Sequence, residues 1–422
     1  MNSIEAPERG PKAESSPLNI LLLTQYYTPD GASWIPKAIA EEMTARGHIV
    51  KVLTTFPHYT EGKVSHGYKQ RRRFEEIIDG LRVKRVPVFA SHSRNPITRI
   101  LNYVSFAVSA RTAKKFAADA DVIYVYGTPA TVADPARAWT KSLGIPFVYH
   151  VQDIWPESVT ESGFLPKKVT DTVETLINVW LRRVYQAAAA NIVIAPSAMQ
   201  MLIDRGAPAA RTQVVFNWAD GTPSPDRHSY SDGLSLLYAG NLGHFQDLET
   251  VIRAADKVSH LPKLKLRIAG SGVLDEHLRK LVAELGATNS VEFLGRVDKD
   301  KMREVYAGAD FQIVSLKALG IFDGIIPSKF QAGLSYGVPV ITSVRGDTST
   351  IVKENDLGFT AEPEDIDSLA DAFTAAYQTT PKTRARLAQN ATEFYQQNFT
   401  RKIAMDHLEK IFQDVVRDHP ES

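Results

Sequence analysis

Apolar residues in this chain arrive in short runs separated by longer amphipathic stretches. In the first half the runs are Asn19–Leu23, Ile49–Thr54, Val83–Val88, Val122–Tyr126, Phe147–Val151 and Ile192–Ala195. Several are continuous rather than alternating, as expected of strands buried on both faces of a parallel sheet. Between them the spacing turns helical, as at Ile35, Ile39 and Met43, with Gly47 placed to end that helix. The pattern then restarts. Leu234–Tyr238, Leu264–Ala269, Val291–Leu294, Phe311–Val314 and Val338–Thr342 are predicted strands, again with helices between. The stretch Asp220–Gly233, rich in Pro, Ser, Asp and Gly, divides the two series as a linker. Two series of alternating strands and helices predict an α/β protein of two doubly wound, Rossmann-like domains. Their expected bounds are 17–216 and 234–400, with 217–233 between them. The tail Lys382–Val416 is helical in pattern, and no strand follows it.

Composition narrows the picture. A chain of 422 residues can bury a full core in each of two domains. Cysteine is absent, which excludes a disulfide framework and thiolate zinc sites. No apolar run approaches the ~18–20 residues of a membrane span. Residues 1–16 are polar, lack the apolar core of a signal peptide, and are expected to be a disordered lead-in.

The net charge of +1 is unevenly spread. Residues 1–195 hold 24 Lys/Arg against 18 Asp/Glu, or +6, which leaves 25 against 30, or −5, for the rest. Residues 63–115 alone carry thirteen basic residues against Glu75, Glu76 and Asp79. Ile97, Ile100, Leu101, Val104, Phe106 and Val108 run through the second part of that region. The mixture suggests a surface for anionic lipid. Nucleic acid is the competing partner, but no nucleic-acid motif is present. A soluble helix packed on its own domain is the plainer alternative.

Ligands of open α/β sheets bind beyond the carboxyl ends of the strands. After the first strand, Gly31 would let a phosphate approach a helix start, or is an ordinary turn glycine. After the fifth comes His150-Val151-Gln152-Asp153-Ile154-Trp155-Pro156-Glu157-Ser158. So many polar groups directly after a buried strand favour a polar cleft. The alternative is a capping Asp153 and a satisfied core His150. In the second half, Gly240-Asn241-Leu242-Gly243-His244-Phe245-Gln246-Asp247 and Gly270-Ser271-Gly272 are glycine loops suited to a phosphate and a nucleobase.

The most informative stretch is 326–340, from Ile326 to Val340. Ser328 and Gln331 have capping-box spacing, which predicts a helix from Lys329 that ends at Gly337. A lysine in a first turn opposes the helix dipole, unless an anion docks there and the lysine helps to hold it. A diphosphate fits that role; a solvated surface lysine is the alternative. Asp119-x-Asp121 and Asp365-x-Asp367 have the spacing of a metal-binding pair but read as solvated faces, so no metal site is expected. The P-loop, HExxH and GxSxG patterns are absent.

Several of these segments occur together in a familiar order: LLLTQYYTPDGA near the start, TTFPHYTEG at 54–62, HVQDIWPES at 150–158, YAGNLGHFQDL at 238–248, IAGSG at 268–272, VEFLGRV at 291–297 and PSKFQAGLSYGVPVI at 327–341. The ordered set resembles bacterial family-4 glycosyltransferases, in the group that builds cell-surface polysaccharides such as O-antigen and colanic acid. The resemblance implies a GT-B fold, two Rossmann-like domains facing each other across a cleft. It implies a C-terminal helix, about 401–418, that packs back on the first domain. It further implies a retaining, metal-independent transfer without cofactor, from a UDP- or GDP-linked sugar; the basic region 63–115 points to a polyprenyl-diphosphate-linked glycan as the acceptor. The location would be cytoplasmic, on the inner face of the plasma membrane.

By this resemblance, Gly240, Asn241 and Gly243 match the diphosphate loop, and Gly270, Gly272 and the segment from Glu292 to Arg296 match the base-binding loops. Ser328 and Lys329 match the PSK element. With Gly31 and Gln246 these make the donor side. His150, Asp153 and Lys329 are the catalytic candidates, and His58, Gln152 and Glu157 belong to the acceptor side. The chain also departs from the pattern. The two acidic positions that many members place eight residues apart are Gly324 and Ala332 here, with Asp323 one residue off. An Arg-Lys pair of the glycine loop is replaced by Phe245-Gln246, and a His-Asp pair by Gln152-Asp153. A sugar-nucleotide epimerase of the same fold, or a non-catalytic partner subunit with a degenerate donor site, are the competing functions.

Overall fold

A computed structural model of the chain describes residues 16–59, 62–91, 95–157, 167–223, 233–322 and 324–419. These form two compact units. One runs to Ile194 and adds Ala198–Val215 and the stretch from Met405 onward; the other holds Ala195–Ser197 and Phe216–Ala404. Residues 1–15 of the expected lead-in and 224–232 of the expected linker fall outside the described residues.

The first unit is built on an eight-stranded sheet. Its strands are β1 (Asn19–Leu23), β2 (Ile49–Thr55), β3 (Phe74–Ile78), β4 (Leu81–Val86), β5 (Val122–Gly127), β6 (Phe147–Val151), β7 (Ala190–Val193) and β8 (Thr212–Val214). They lie in the order β3-β4-β2-β1-β5-β6-β7-β8. All neighbours are parallel except β3 and β4. Strands β5 and β6 are buried along their whole length, which accounts for their unbroken apolar sequence. The order reverses beside β1, with β2 on one side and β5 on the other. The C-terminal helix Arg401–Asp418 contributes to this unit. Its Phe412 ring stands 5.3 Å from that of Tyr124, and its Glu409 holds Arg46 Nη1 at 2.6 Å and His48 Nε2 at 3.0 Å.

Strands β3 and β8, and a short strand of the second unit at Gly358–Thr360, were not expected from the apolar pattern. Strand β3 carries the sequence FEEII at the sheet edge and is only half-buried. It folds back on β4 through Asp79 and Gly80, both in the left-handed region at φ 51° and 80°. An Asp-Gly pair is the favoured chemistry for such a two-residue turn. The basic region is therefore partly an edge hairpin. Glu75 pairs with Arg82 and Lys84, while Arg85 is fully buried against Glu76.

The second unit has six parallel strands: β9 (Leu234–Ala239), β10 (Leu264–Ala269), β11 (Val291–Gly295), β12 (Phe311–Ser315), β13 (Val340–Ser343) and β14 (Gly358–Thr360). Their order is β11-β10-β9-β12-β13-β14. Along β9, Leu234, Leu236 and Tyr238 enter one core with residues of helices Leu248–Lys257, Asp275–Glu284 and Ile366–Tyr377. Leu237 and Ala239 enter a second cluster with Tyr306 and Val338. Both faces of the sheet are thus covered, as a parallel sheet requires. The order reverses between β9 and β12, which opens a crevice where loops diverge.

Candidate functional site

In the second unit, three glycine loops are knitted together past the ends of β9, β10 and β11. Gly240 N–H donates to Ala269 O at 2.9 Å, Gly270 N–H to Gly295 O at 2.7 Å and Leu242 N–H to Ser271 O at 3.0 Å. The parallel ladder continues into the loops, so their backbones approach too closely for side chains. At Gly270, with φ 150°, an added Cβ would stand 1.8 Å from the Gly240 carbonyl oxygen. At Gly240, with φ 157°, it would stand 2.8 Å from Cε of Lys329. At Gly272 it would meet the Leu242 carbonyl oxygen at 2.4 Å, and at Gly243 the Asn241 amide at 2.7 Å.

Lys329 reaches this cradle from the other side of the switch between β9 and β12. It sits in the first turn of helix Ser328–Ser335, where Gln312 Nε2 donates to its carbonyl at 2.8 Å. Its ammonium donates to Gln246 Oε1 and stands 5.1 Å from the centre of the Tyr238 ring. The Tyr238 hydroxyl donates to Asn241 O at 2.6 Å, and Ser315 Oγ donates to Gln246 O at 2.6 Å. Among the described residues, no carboxylate lies within salt-bridge reach of Lys329. Desolvation by this surrounding lowers its pKa to about 8. A half-buried cation whose polar partner is neutral is a ready receptor for an anion.

The helix itself departs from expectation in two ways. It starts at Ser328, behind Pro327 in extended conformation, and no side chain caps it. Gln331 is buried, so the expected capping box is not formed. The far end behaves as expected: Gly337 takes φ 72°, and Val338 N–H closes on Gly333 O at 2.9 Å. That bond draws Val338 out of β13, which begins at Val340. Ser328 is exposed, as are Glu292 in β11 and Arg296 after it. Glu292 stands in register with Arg267 of β10.

In the first unit, the strand-end loops gather aromatic rings around Asp153. Tyr26 follows β1, and its ring lies 5.6 Å from His58 and 4.9 Å from Tyr59. Trp155 packs against Tyr103 of helix Pro96–Arg111 at 5.7 Å. Arg99, one turn earlier, has its Nη2 3.4 Å from the Tyr103 hydroxyl. Burial raises the Asp153 carboxyl to about 6, and the Arg99 guanidinium partly offsets this. Tyr26, Arg99, Tyr103 and Trp155 were not among the site residues expected from sequence, although Tyr26 and Trp155 lie in the quoted segments and Arg99 in the basic region. The signal was present in the aromatic pair after β1 and in Arg99 and Tyr103 four apart on one helix face.

The remaining candidates are placed otherwise. His150 is 1 % exposed, its Nδ1 lies 2.5 Å from the Tyr124 hydroxyl, and burial lowers its pKa to about 3. Its Nε2 is buried without a hydrogen-bond partner among the described residues, so the satisfied core histidine is met at only one ring nitrogen. His58 is equally buried: its Nδ1–H donates to Phe56 O at 2.8 Å, and Nε2 accepts from Asn102 at 2.9 Å. Glu157 is held by Arg205, with contacts of 2.5 and 3.2 Å. Gln152 is half-buried. Gly31 is exposed in a short turn where an added Cβ would meet nothing, so packing within the chain does not demand glycine there. Among the described residues, no three His, Cys, Asp or Glu side chains gather to hold a metal ion.

Two parallel sheets with switch points, and a glycine cradle under a half-buried lysine, fit the two family models that the chain matches, and with them the chain is a glycosyltransferase of GT-B type. Residues 30–218 match the model of the glycosyl transferase 4-like domain, and residues 224–394 match glycosyl transferases group 1. Over 339 residues the chain is 26% identical to the protein named as the colanic acid biosynthesis glycosyl transferase WcaI of Escherichia coli. That match covers 76% of this chain and 82% of the relative. It is 23% identical to the glycosyltransferase WbjE of Pseudomonas aeruginosa over 65% of this chain and 72% of that one. Among solved structures it is similar to Anabaena HepE in complex with UDP and glucose, with a TM-score of 0.65 at 18% identity, covering 93% of this chain and 98% of that one. It is also similar to WaaG, a glycosyltransferase involved in lipopolysaccharide biosynthesis, with a TM-score of 0.59 at 16% identity, covering 94% and 99%. These likenesses establish the fold.

Proposed function

We propose that the chain transfers a hexosyl or acetamidohexosyl group from a UDP- or GDP-linked sugar to a polyprenyl-diphosphate-linked glycan, in cell-surface polysaccharide synthesis. The observation that carries this reading is the Lys329 ammonium, held over the glycine cradle with no carboxylate partner among the described residues. The donor diphosphate would take that place. As the bond from the anomeric carbon to the diphosphate oxygen breaks, charge grows on that oxygen. The Lys329 ammonium and the first-turn N–H groups of its helix stabilise it. The acceptor oxygen forms the new bond, on the face that retains configuration, and its proton passes to the leaving phosphate. No metal and no protein base is then required. Asp153 orients the acceptor or the transferred sugar.

The acceptor reading draws on helix Pro96–Arg111. Ile97, Ile100, Leu101, Val104 and Val108 are exposed along one face of it, Ile97 at 66% and Val108 at 60%. Arg111, Lys114 and Lys115 are exposed at its far end. Among the described residues, no helix is long and apolar enough to cross a membrane. An apolar stripe with cations beside it suits the interface of an anionic bilayer, and we place the protein there, peripherally, on the cytoplasmic side.

The test is transfer of labelled sugar from UDP- and GDP-sugars into a bacterial membrane lipid extract. Wild type is expected to label lipid equally with and without EDTA, and Lys329→Ala to lose about 100-fold in rate. Donor isomerisation without acceptor would instead identify an epimerase. Absence of turnover with every donor would favour the partner-subunit reading, which the non-acidic Gly324 and Ala332 keep in play.

A further inference from the structure

Helix Pro96–Arg111 has two faces with different work. The outward face holds the exposed stripe from Ile97 to Val108. The opposite face is buried at Asn102, Phe106 and Ala110. Arg99 belongs to that inward face by helical spacing, one turn before Tyr103. It stands in the first turn of the helix. Its one side-chain hydrogen bond among the described residues is the 3.4 Å contact with the Tyr103 hydroxyl. Tyr103 rests on Trp155, two residues beyond Asp153. Asp153 and Arg99 are close enough to influence each other electrostatically, yet they do not form an ion pair. Each is half-buried.

Other half-buried or buried arginines of this unit are tied down: Arg46, Arg85 and Arg205 pair with carboxylates, and Arg211 donates to the backbone carbonyls of Ala188 and Gln186. Arg99 has neither kind of anchor among the described residues, only the long contact with Tyr103. It leaves its planar fork available for an oxyanion. The stripe and the Asp153 loop then bracket it: apolar surface on one side, a sugar-orienting carboxylate on the other. An acceptor with a prenyl tail, a phosphate and a sugar has the same order of chemistry along its length.

We propose that Arg99 is the phosphate-binding residue of the acceptor site, gripping the diphosphate that joins the prenyl tail lying on the helix stripe to the sugar lying at Asp153. This rests on the lipid-linked acceptor reading given above. It adds a residue and a recognition chemistry: the enzyme distinguishes its acceptor by the phosphate, not by bulk membrane charge.

The test uses the full-length chain in flotation with phosphatidylcholine vesicles that carry polyprenyl diphosphate. Vesicles matched in charge with phosphatidylglycerol are the comparison. Wild type is expected to prefer the polyprenyl diphosphate vesicles about tenfold, the size expected of one charge-assisted phosphate contact. Arg99→Ala should bring that binding down to the phosphatidylglycerol level and leave phosphatidylglycerol binding unchanged. Arg99→Lys should recover only part of the preference. A preference that survives in Arg99→Ala, or its absence in wild type, overturns the proposal. If neither vesicle binds wild type, membrane docking itself fails, and thermal shift with water-soluble farnesyl diphosphate decides on Arg99 alone. Stabilisation of wild type but not of Arg99→Ala supports it; no stabilisation of wild type overturns it. Both variants should melt with wild type, which separates lost recognition from lost folding.

Discussion

Lys329, Asp153 and His150 are three titratable side chains that burial has moved in different directions. Lys329 falls to about 8 and His150 to about 3, while Asp153 rises to about 6. In each case desolvation is the largest cause, because the charged form loses water without gaining an ion partner. For Asp153 the sign has a consequence. An unfolded aspartate titrates near ~3.9, so between that value and 6 the folded chain holds a proton that the unfolded chain has released. Stability therefore falls as pH rises through that window, and Asp153→Asn should melt no lower than wild type at neutral pH. If the carboxylate orients the acceptor or the transferred sugar, the transfer rate should drop about tenfold per pH unit below 6. That limb should vanish in Asp153→Asn, on a lower plateau. A pH–rate profile run beside a melting series checks both. An acid limb that persists in the variant assigns it to another group.

The same residues mark the limit of reading at this scale. Lys329 stood out because a first-turn lysine conflicts with the helix dipole, and such a local conflict is visible in sequence. His150 could be read as ligand-facing or as a core residue, and His58 as an acceptor-side residue. Both are buried, with Tyr124 bonded to the one and Phe56 and Asn102 to the other, while His150 Nε2 keeps no hydrogen-bond partner among the described residues. Those partners lie 26 and 44 residues away at the farthest, beyond any local pattern. Glu157 likewise pairs with Arg205, 48 residues further on.

Among the elements, the long continuous strands were legible and the short edge strands were not. β1, β6 and β10 have the bounds expected from their apolar runs. A strand buried on both faces must be apolar throughout, whereas an edge strand such as β3 can be half charged. The Asp79-Gly80 turn was the available signal for that hairpin. The mixture of cations and apolar residues marked the region of helix Pro96–Arg111 as a lipid-facing surface, with a packed helix as the alternative, but which apolar residues were exposed was not legible. Phe106 is buried, while the other five form the outward stripe. Its inner face is tied down by Asn102, which donates to His58 and to Phe89 O and accepts from Gln25 Nε2 at 2.6 Å. Because the stripe has no packing role in this unit, Ile97→Ser, Leu101→Ser and Val108→Ser combined should change stability by no more than about 0.5 kcal/mol per site. The same triple variant should lose at least about tenfold in affinity for anionic vesicles. Co-flotation and thermal melting on one preparation check this. Loss of fold would show that the face is core, and unchanged binding would remove the membrane reading.

At the scale of the molecule, two doubly wound sheets follow from the repeated strand–helix pattern, and the solved structures it resembles share that fold. The switch point between β9 and β12 then decides where chemistry can gather, because loops from neighbouring strands leave in opposite directions there. Glycines 240, 270 and 272 are demanded by backbone packing as much as by any ligand. Their presence alone would not separate a structural crossing from a binding loop. What distinguishes this crossing is the cation placed over it with Gln246, a neutral partner, beside it. The account therefore stands on whether the second unit binds a nucleotide diphosphate through Lys329.

Calorimetric titration of UDP and GDP into wild type and Lys329→Ala, at pH 7 and pH 9 and in EDTA, measures that most directly. One nucleotide should bind wild type at pH 7, more weakly at pH 9 as the ammonium loses its proton through about 8, and at least about tenfold more weakly to the variant at pH 7. Equal affinity of wild type and variant, or no binding of either nucleotide to wild type, would contradict it.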